Sequence, residues 1–180
     1  MKLGVNPLKM KETNLIQFFD CFKTSNDCID EEGNLEKQKL LKLMMDFIER
    51  HLKQSDYVIF DKISLLESMG FSEKEIILLL RNIIKQVKEK DGILVLRCRK
   101  MSTLDKEMSN EDIVDTLTSW ISHQASLNLV VKPLSTGKSI NVTGNISSHW
   151  TNENDILHSQ FRVEEKDVKL FAKGTSSAVL

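Results

Sequence analysis

Basic side chains recur along one predicted helix at a spacing suited to nucleic-acid recognition. Between residues 72 and 90 the apolar residues form one helical face, and the opposite face gathers cations around a single leucine. Lysine and arginine neutralise phosphates, arginine also binds guanine edges, and a leucine can contact a thymine methyl group. Together with the cations that follow it, this face is a candidate double-stranded DNA-binding site made of Lys74, Leu78, Arg81, Lys85, Lys88, Arg97, Arg99 and Lys100.

The distribution of charge supports that interpretation. The 180 residues hold 25 Lys and Arg against 26 Asp and Glu, so the net charge is -1 and the chain as a whole is not a polycation. Residues 81–106 nevertheless contain eight basic and three acidic residues, which leaves the rest of the chain acidic. This asymmetry indicates a localised basic surface.

Aromatic residues near the N-terminus suggest a different function. Phe18, Phe19 and Phe22 are candidate partner-binding residues, and the isolated Leu78 and the seven methionines add to the apolar material. Apolar surface of this kind is buried by a protein partner or by a second copy of the chain. Nucleic-acid binding and protein binding therefore both stay open.

Other binding motifs fail on inspection. Residues 135–139 read STGKS, like the end of a phosphate-binding loop, but Lys132 stands where that loop needs its first glycine. Residues 28–39 resemble a calcium loop only at its centre, because Cys28 and Lys39 occupy positions that require acids. We expect neither a nucleotide nor a calcium ion.

The cysteines and histidines are also poor candidates for a metal site or a catalytic nucleophile. The 3 cysteines and 4 histidines have no zinc-ligand spacing, and no nucleophile motif is present. We therefore predict no metal, no cofactor and no catalytic residue, and expect a protein that is not an enzyme. The chain shows no secretory signal and no membrane-length apolar run, so we expect free thiols and an intracellular location.

Helical periodicity dominates the first two-thirds of the chain. Residues 1–12 read as a mobile arm, and turn formers make residues 24–33 a loop. Asp61 is a candidate cap for the helix that Gly70 ends, and Ser72 with Glu75 forms a capping box for the next. The predicted elements are helices over 15–22, 40–52, 62–69 and 72–90, and strands over 57–60 and 93–99.

The pattern changes towards the C-terminus. Ser109 with Asp112 begins a helix that carries Leu117, Trp120 and Ile121 on one face. Four strands follow over 127–131, 139–146, 158–164 and 168–172. The predicted class is α+β, mainly helical at first and then a small antiparallel sheet. The predicted domains are an arm with an aromatic helix (1–34), a central module (35–101), and a helix with four strands (109–174).

The central module resembles the winged helix-turn-helix family over residues 36–100. The resemblance lies in Leu65 and Leu66 before the turn, Gly70 within it, and Phe71, Ile76 and Leu79 after it. It implies that the helix after the turn enters a groove and that residues 93–99 form the first wing strand, as in a regulatory or replication and segregation protein. Since winged helices also bind proteins, the alternative is an interaction subunit of a multiprotein assembly.

Overall fold

The structure is a computed structural model that describes residues 6–52, 57–98, 116–134, 137, 139, 141–153, 155–165 and 167–172. It divides into two compact units, a helical unit (Asn14–Ser119) and a sheet unit (Met1–Thr13 with Trp120–Leu180). Helices come first and an antiparallel sheet follows, as the predicted α+β class requires. No helix in the described ranges is both long and apolar enough to span a bilayer.

The N-terminal helices lie on either side of the stretch predicted to be helical. The prediction of a helix over 15–22 is wrong. The helices in this region are α1 (Pro7–Glu12) and α2 (Cys21–Asn26). Their starts are set by caps: the Asn6 side chain accepts from the backbone N–H groups of Leu8 and Lys9, and Asp20 accepts from that of Lys23. Local capping therefore decided where these short helices begin.

The core of the helical unit lies between two long helices. These are α3 (Lys37–Leu52) and α5 (Glu73–Glu89), which bury the apolar stripes that the sequence predicts. The capping box of α5 is confirmed, with the Ser72 and Glu75 side chains each bonded to the other's backbone N–H. The buried residues of the two helices are Leu40, Met44, Ile48, Leu52, Ile76, Leu79, Leu80, Ile83 and Val87.

A glycine turn joins α4 (Ser64–Ser68) to α5. Gly70 has φ +84°, a left-handed conformation that favours glycine, and its carbonyl oxygen accepts a hydrogen bond from the Lys37 ammonium group. The same ammonium lies 5.5 Å from the centre of the Phe71 ring. The start of α3 is thereby fixed to the turn.

The two short strands of the helical unit pair in parallel. β1 (Tyr57–Phe60) lies beside β2 (Ile93–Leu96) with Tyr57 opposite Ile93 and Phe60 opposite Leu96. Within the described residues β2 has no antiparallel hairpin partner, and residues 99–115 lie outside them. The winged-helix resemblance remains a prediction.

The sheet unit contains a four-stranded antiparallel meander. It follows α6 (Thr116–Gln124), the described part of the helix predicted after Ser109. Asn128 at the start of the first strand donates to the carbonyl oxygen of Ser122, at 3.1 Å, and so fixes the strand to the helix end. In sheet order the strands are β3 (Leu127–Pro133), β4 (Gly144–Trp150), β5 (Ile156–Val163) and β6 (Val168–Ala172). The predicted strand over 139–146 is displaced, because the chain bends at Asn141 and pairing starts at Gly144.

Candidate interaction surfaces

The predicted basic helix face is exposed to solvent. Lys74, Leu78, Arg81, Lys85 and Lys88 all lie on the exposed side of α5, opposite its buried stripe. Leu78 is 61% exposed and lies among the cations. The structure therefore brings these five residues to one surface, as the helical wheel predicts.

Neighbouring carboxylates reduce the charge available from this group. The Lys85 ammonium lies 3.9 Å from the Glu89 carboxylate, one helical turn away. Arg97 forms an ion pair with Asp61, the residue predicted to cap α4, so the capping prediction is wrong. Arg99 and Lys100 lie outside the described residues.

The predicted aromatic patch is divided between core and solvent. Phe19 packs against Phe47 of α3 with ring centroids 5.3 Å apart, and Phe47 in turn contacts the His51 ring. Phe18 and Phe22 are exposed. One of the three candidates therefore anchors the N-terminal segment to α3, and the other two are exposed on the surface.

The parallel strand pair has an apolar face that sequence reasoning missed. Tyr57 and Ile59 of β1 stand opposite Ile93 and Val95 of β2, and all four are exposed. Beyond them Asp61 and Arg97 form the ion pair already described, at the end of the strands. Parallel strands are ordinarily buried on both faces, so an open face here is unusual.

A larger apolar face lies on the antiparallel sheet. Strand pairing divides the side chains into two sets, because directly opposed residues share a face. One set, here called the apolar sheet face, has no charged residue. It consists of Leu127, Leu129, Val131, Pro133, Gly144, Ile146, Ser148, Trp150, Leu157, Ser159, Phe161, Val163, Val168, Leu170 and Ala172.

Six large side chains of the apolar sheet face are exposed. They lie on all four strands and range from 42% exposure at Val168 to 63% at Leu170; the others are Leu129, Val131, Trp150 and Leu157. The opposite face is the polar sheet face, which carries Lys132, His149, His158, Arg162 and Lys169. An antiparallel sheet normally turns its apolar face inwards, so this exposure identifies a surface fit for burial against protein.

Alternation in the sequence could have identified this face. Residues 127–131 read LNLVV and residues 168–172 read VKLFA, so leucines and valines recur at every second position. The pattern does not show which part of the molecule, or which partner, covers that face.

The polar sheet face contains one pair of chemically capable side chains. The Ser147 hydroxyl lies 2.8 Å from Nδ1 of His158 across β4 and β5. Among the described residues no carboxylate hydrogen-bonds His158, so the pair has no orienting third group of the kind a catalytic triad uses. The pair is a cross-strand hydrogen bond that aligns two strands.

The cysteines and acids form no chemical site in the described part of the chain. Cys21, Cys28 and Cys98 form no disulfide bond. Burial raises the pKa of the Cys21 thiol and the Asp20 carboxylate raises it further, which disfavours the nucleophilic thiolate. No group of three His, Cys, Asp or Glu side chains in the described ranges could hold a metal ion.

Comparisons with known proteins identify one family and several similar proteins. The family model described as Elongation complex protein 6 matches residues 1–169. The chain is 27% identical over 202 residues to Elongator complex protein 6 of Danio rerio, and 26% identical over 206 residues to that of Mus musculus. A similar protein of the same name in Xenopus laevis is 27% identical over 205 residues. Each match covers 99% of this chain and 75% of the relative.

Proposed function

This chain belongs to the Elongation complex protein 6 family, and from that premise we propose that it is a non-catalytic subunit of a multiprotein assembly. The relatives are named as proteins of an Elongator complex, and we propose the corresponding place for this chain. Of the two functions that the sequence left open, the family supports the interaction subunit. The proposal needs no cofactor and no catalytic group.

The observation that carries the proposal is the exposed apolar sheet face. It presents leucines, valines and a tryptophan to solvent without a single charged neighbour on the same face. Burying a large apolar side chain contributes about 1.5–3 kcal/mol, so an open face of this kind favours association with another protein. Phe18 and Phe22 of the helical unit add further apolar contact area.

Co-purification under salt tests the proposal. The full chain, tagged and co-expressed with the other subunits of the complex, should retain them through a wash at high ionic strength, because apolar contacts are not screened by salt. Loss of those subunits in the wash, or their absence before it, would contradict a stable subunit role. An unrelated tagged protein of similar net charge serves as the control.

Nucleic-acid binding through the basic face of α5 is the second candidate. It is supported by the exposure of Lys74, Arg81, Lys85 and Lys88 on one side of the helix. The ion pairs of Arg97 with Asp61 and of Lys85 with Glu89 weigh against it. The winged-helix geometry that would place this helix in a groove stays part of the same proposal.

A salt titration of duplex DNA binding separates this candidate from a merely solvated helix. Replacing Arg81 and Lys85 with alanine should reduce the slope of log affinity against log salt by about two, since two phosphate contacts are lost. The matched control replaces the exposed Lys42 and Arg50 of α3, which removes the same charge and should leave the slope unchanged. Equal slopes in both variants, or no retention on DNA at low salt, would refute the candidate.

A further inference from the structure

One corner of the apolar sheet face places an exposed tryptophan beside two exposed leucines. Leu129 and Leu157 lie on either side of Ser148, which is small enough to leave both leucines accessible, at 57% and 60% exposure. Trp150 lies two residues further along β4 on the same face and is 46% exposed. Tryptophan is one of the residues in which binding hot spots are enriched.

Acidic side chains border this corner. Glu153 and Asp155 lie in the turn between β4 and β5, and both are exposed. The backbone N–H of Glu153 donates to the carbonyl oxygen of Trp150 at 3.0 Å, which fixes the turn beside the tryptophan. In the described part of the chain neither carboxylate has an ion-pair partner.

The turn at the opposite end of the sheet contains both paired and unpaired acidic side chains. There Glu164 pairs with both Arg162 and Lys169, and these interactions lower the pKa of the Glu164 carboxyl group. Glu165 and Asp167 in the same turn are exposed and have no ion-pair partner among the described residues, so neither end of the sheet presents an unengaged cation there. A partner that covers the corner gains from cations placed against Glu153 and Asp155.

We propose that the corner formed by Leu129, Trp150 and Leu157 docks a different protein, one whose surface is apolar at its centre and carries lysine or arginine at the edge facing Glu153 and Asp155. This inference rests on the proposed function. A second copy of the sheet fits less well. If the same ends of the two sheets met, Glu153 and Asp155 of one copy would face the same carboxylates of the other. If opposite ends of the two sheets met instead, the second copy would place Arg162 and Lys169 near Glu153 and Asp155. Glu164 already pairs with both of these cations.

Substitution of Leu157 tests the apolar half of the proposal. Leu157→Glu in the full chain, co-expressed with the other subunits of the complex, should weaken their association by about tenfold or more, because it places a charge at the centre of the contact. The matched control is Ile156→Glu, the adjacent exposed apolar position on the polar sheet face, which should bind like wild type. Far-UV circular dichroism checks that both variants fold.

Charge reversal tests the electrostatic half. Glu153→Lys with Asp155→Lys should reduce the association rate several-fold at low salt, and the difference from wild type should shrink as salt is added. Glu31→Lys with Glu32→Lys makes the same change of charge at exposed positions of the helical unit and should leave the rate unchanged. Equal effects of the two pairs would overturn the proposed cationic edge.

Hydrogen exchange gives a readout that does not depend on any variant. Amides of β4 and β5 should exchange more slowly in the co-purified complex than in the free chain if a partner covers this corner. Three outcomes overturn the inference: unchanged exchange, wild-type binding by Leu157→Glu, or a homodimer of the free chain that Leu157→Glu dissociates. A wild-type chain that retains no subunit at all instead refutes the proposed function.

Discussion

At the scale of single residues, Gly70 shows most directly how one side chain, or its absence, shapes this fold. Its φ of +84° is closed to ordinary L-residues without strain, and a Cβ there would meet only the Lys37 side chain at 3.8 Å or more. The cost of a substitution at this turn is therefore conformational, with little steric contribution.

Replacing Gly70 with alanine should lower the free energy of unfolding by about 1–2 kcal/mol, the usual cost of a left-handed conformation. Gly70→Asn should cost less, because asparagine tolerates that region better. Urea unfolding of the full chain followed by circular dichroism measures both. Equal losses for the two variants would show that the turn is not held in the left-handed region.

Pairing at Asp61 shows the limit of reasoning about single residues from sequence. Its type and position suit a helix cap, yet in the fold its carboxylate meets Arg97, which is 36 positions away in the chain. A capping prediction considers only neighbours in sequence. The parallel pairing of β1 with β2 brings Arg97 next to Asp61, and no local sequence pattern predicts this pairing.

At the scale of elements, Gly144 determines how β4 fits between its neighbours. A Cβ at this position would lie 2.6 Å from the backbone carbonyl oxygen of Lys132 and 2.9 Å from the Phe161 ring. The glycine thus lets an aromatic ring lie across the strand, and the close approach fixes the register of three strands.

Gly144→Ala should consequently destabilise the sheet unit by about 1–3 kcal/mol, the typical cost of overpacking against atoms that cannot move away. Ser148→Ala, on the same strand and the same face, should change stability by no more than about 0.5 kcal/mol. Thermal unfolding of both variants, compared with wild type, measures these changes in stability. A neutral Gly144→Ala variant would mean that the backbone separates there at little cost.

The two long helices and most of the strands were predictable from local patterns, and the two N-terminal helices were not. The stripes of α3 and α5 and the capping box at Ser72 determine those helices locally, so sequence reasoning found them. Helices α1 and α2 have six residues each and depend on the caps Asn6 and Asp20, which spacing alone did not identify. Three of the four predicted strands overlap the observed ones closely, and the fourth is displaced by the bend at Asn141.

The candidate surfaces divided in the same way, between those set by local sequence and those set by long-range pairing. The exposed basic face of α5 comes directly from helical geometry, so the sequence could place it. The apolar sheet face depends on the pairing of four strands and on what covers them, which are long-range properties. Sequence alone therefore favoured the basic helix and gave the strands no specific role.

At the scale of the whole molecule, family membership and surface composition point the same way. The chain matches relatives named as proteins of a complex along nearly its full length, and its sheet unit presents apolar side chains that a partner would bury. Its basic and acidic regions are separated along the sequence, which suits oriented contacts between unlike proteins. Both observations support the proposal that the chain is one component of a larger assembly.

Mass in solution tests this central claim most directly. Size-exclusion chromatography with light scattering, applied to the full chain co-expressed with the other subunits of the complex, should give one peak of fixed stoichiometry whose mass exceeds the 20.7 kDa of the chain. Elution of the chain by itself at 20.7 kDa, apart from the assembled remaining subunits, would contradict the account.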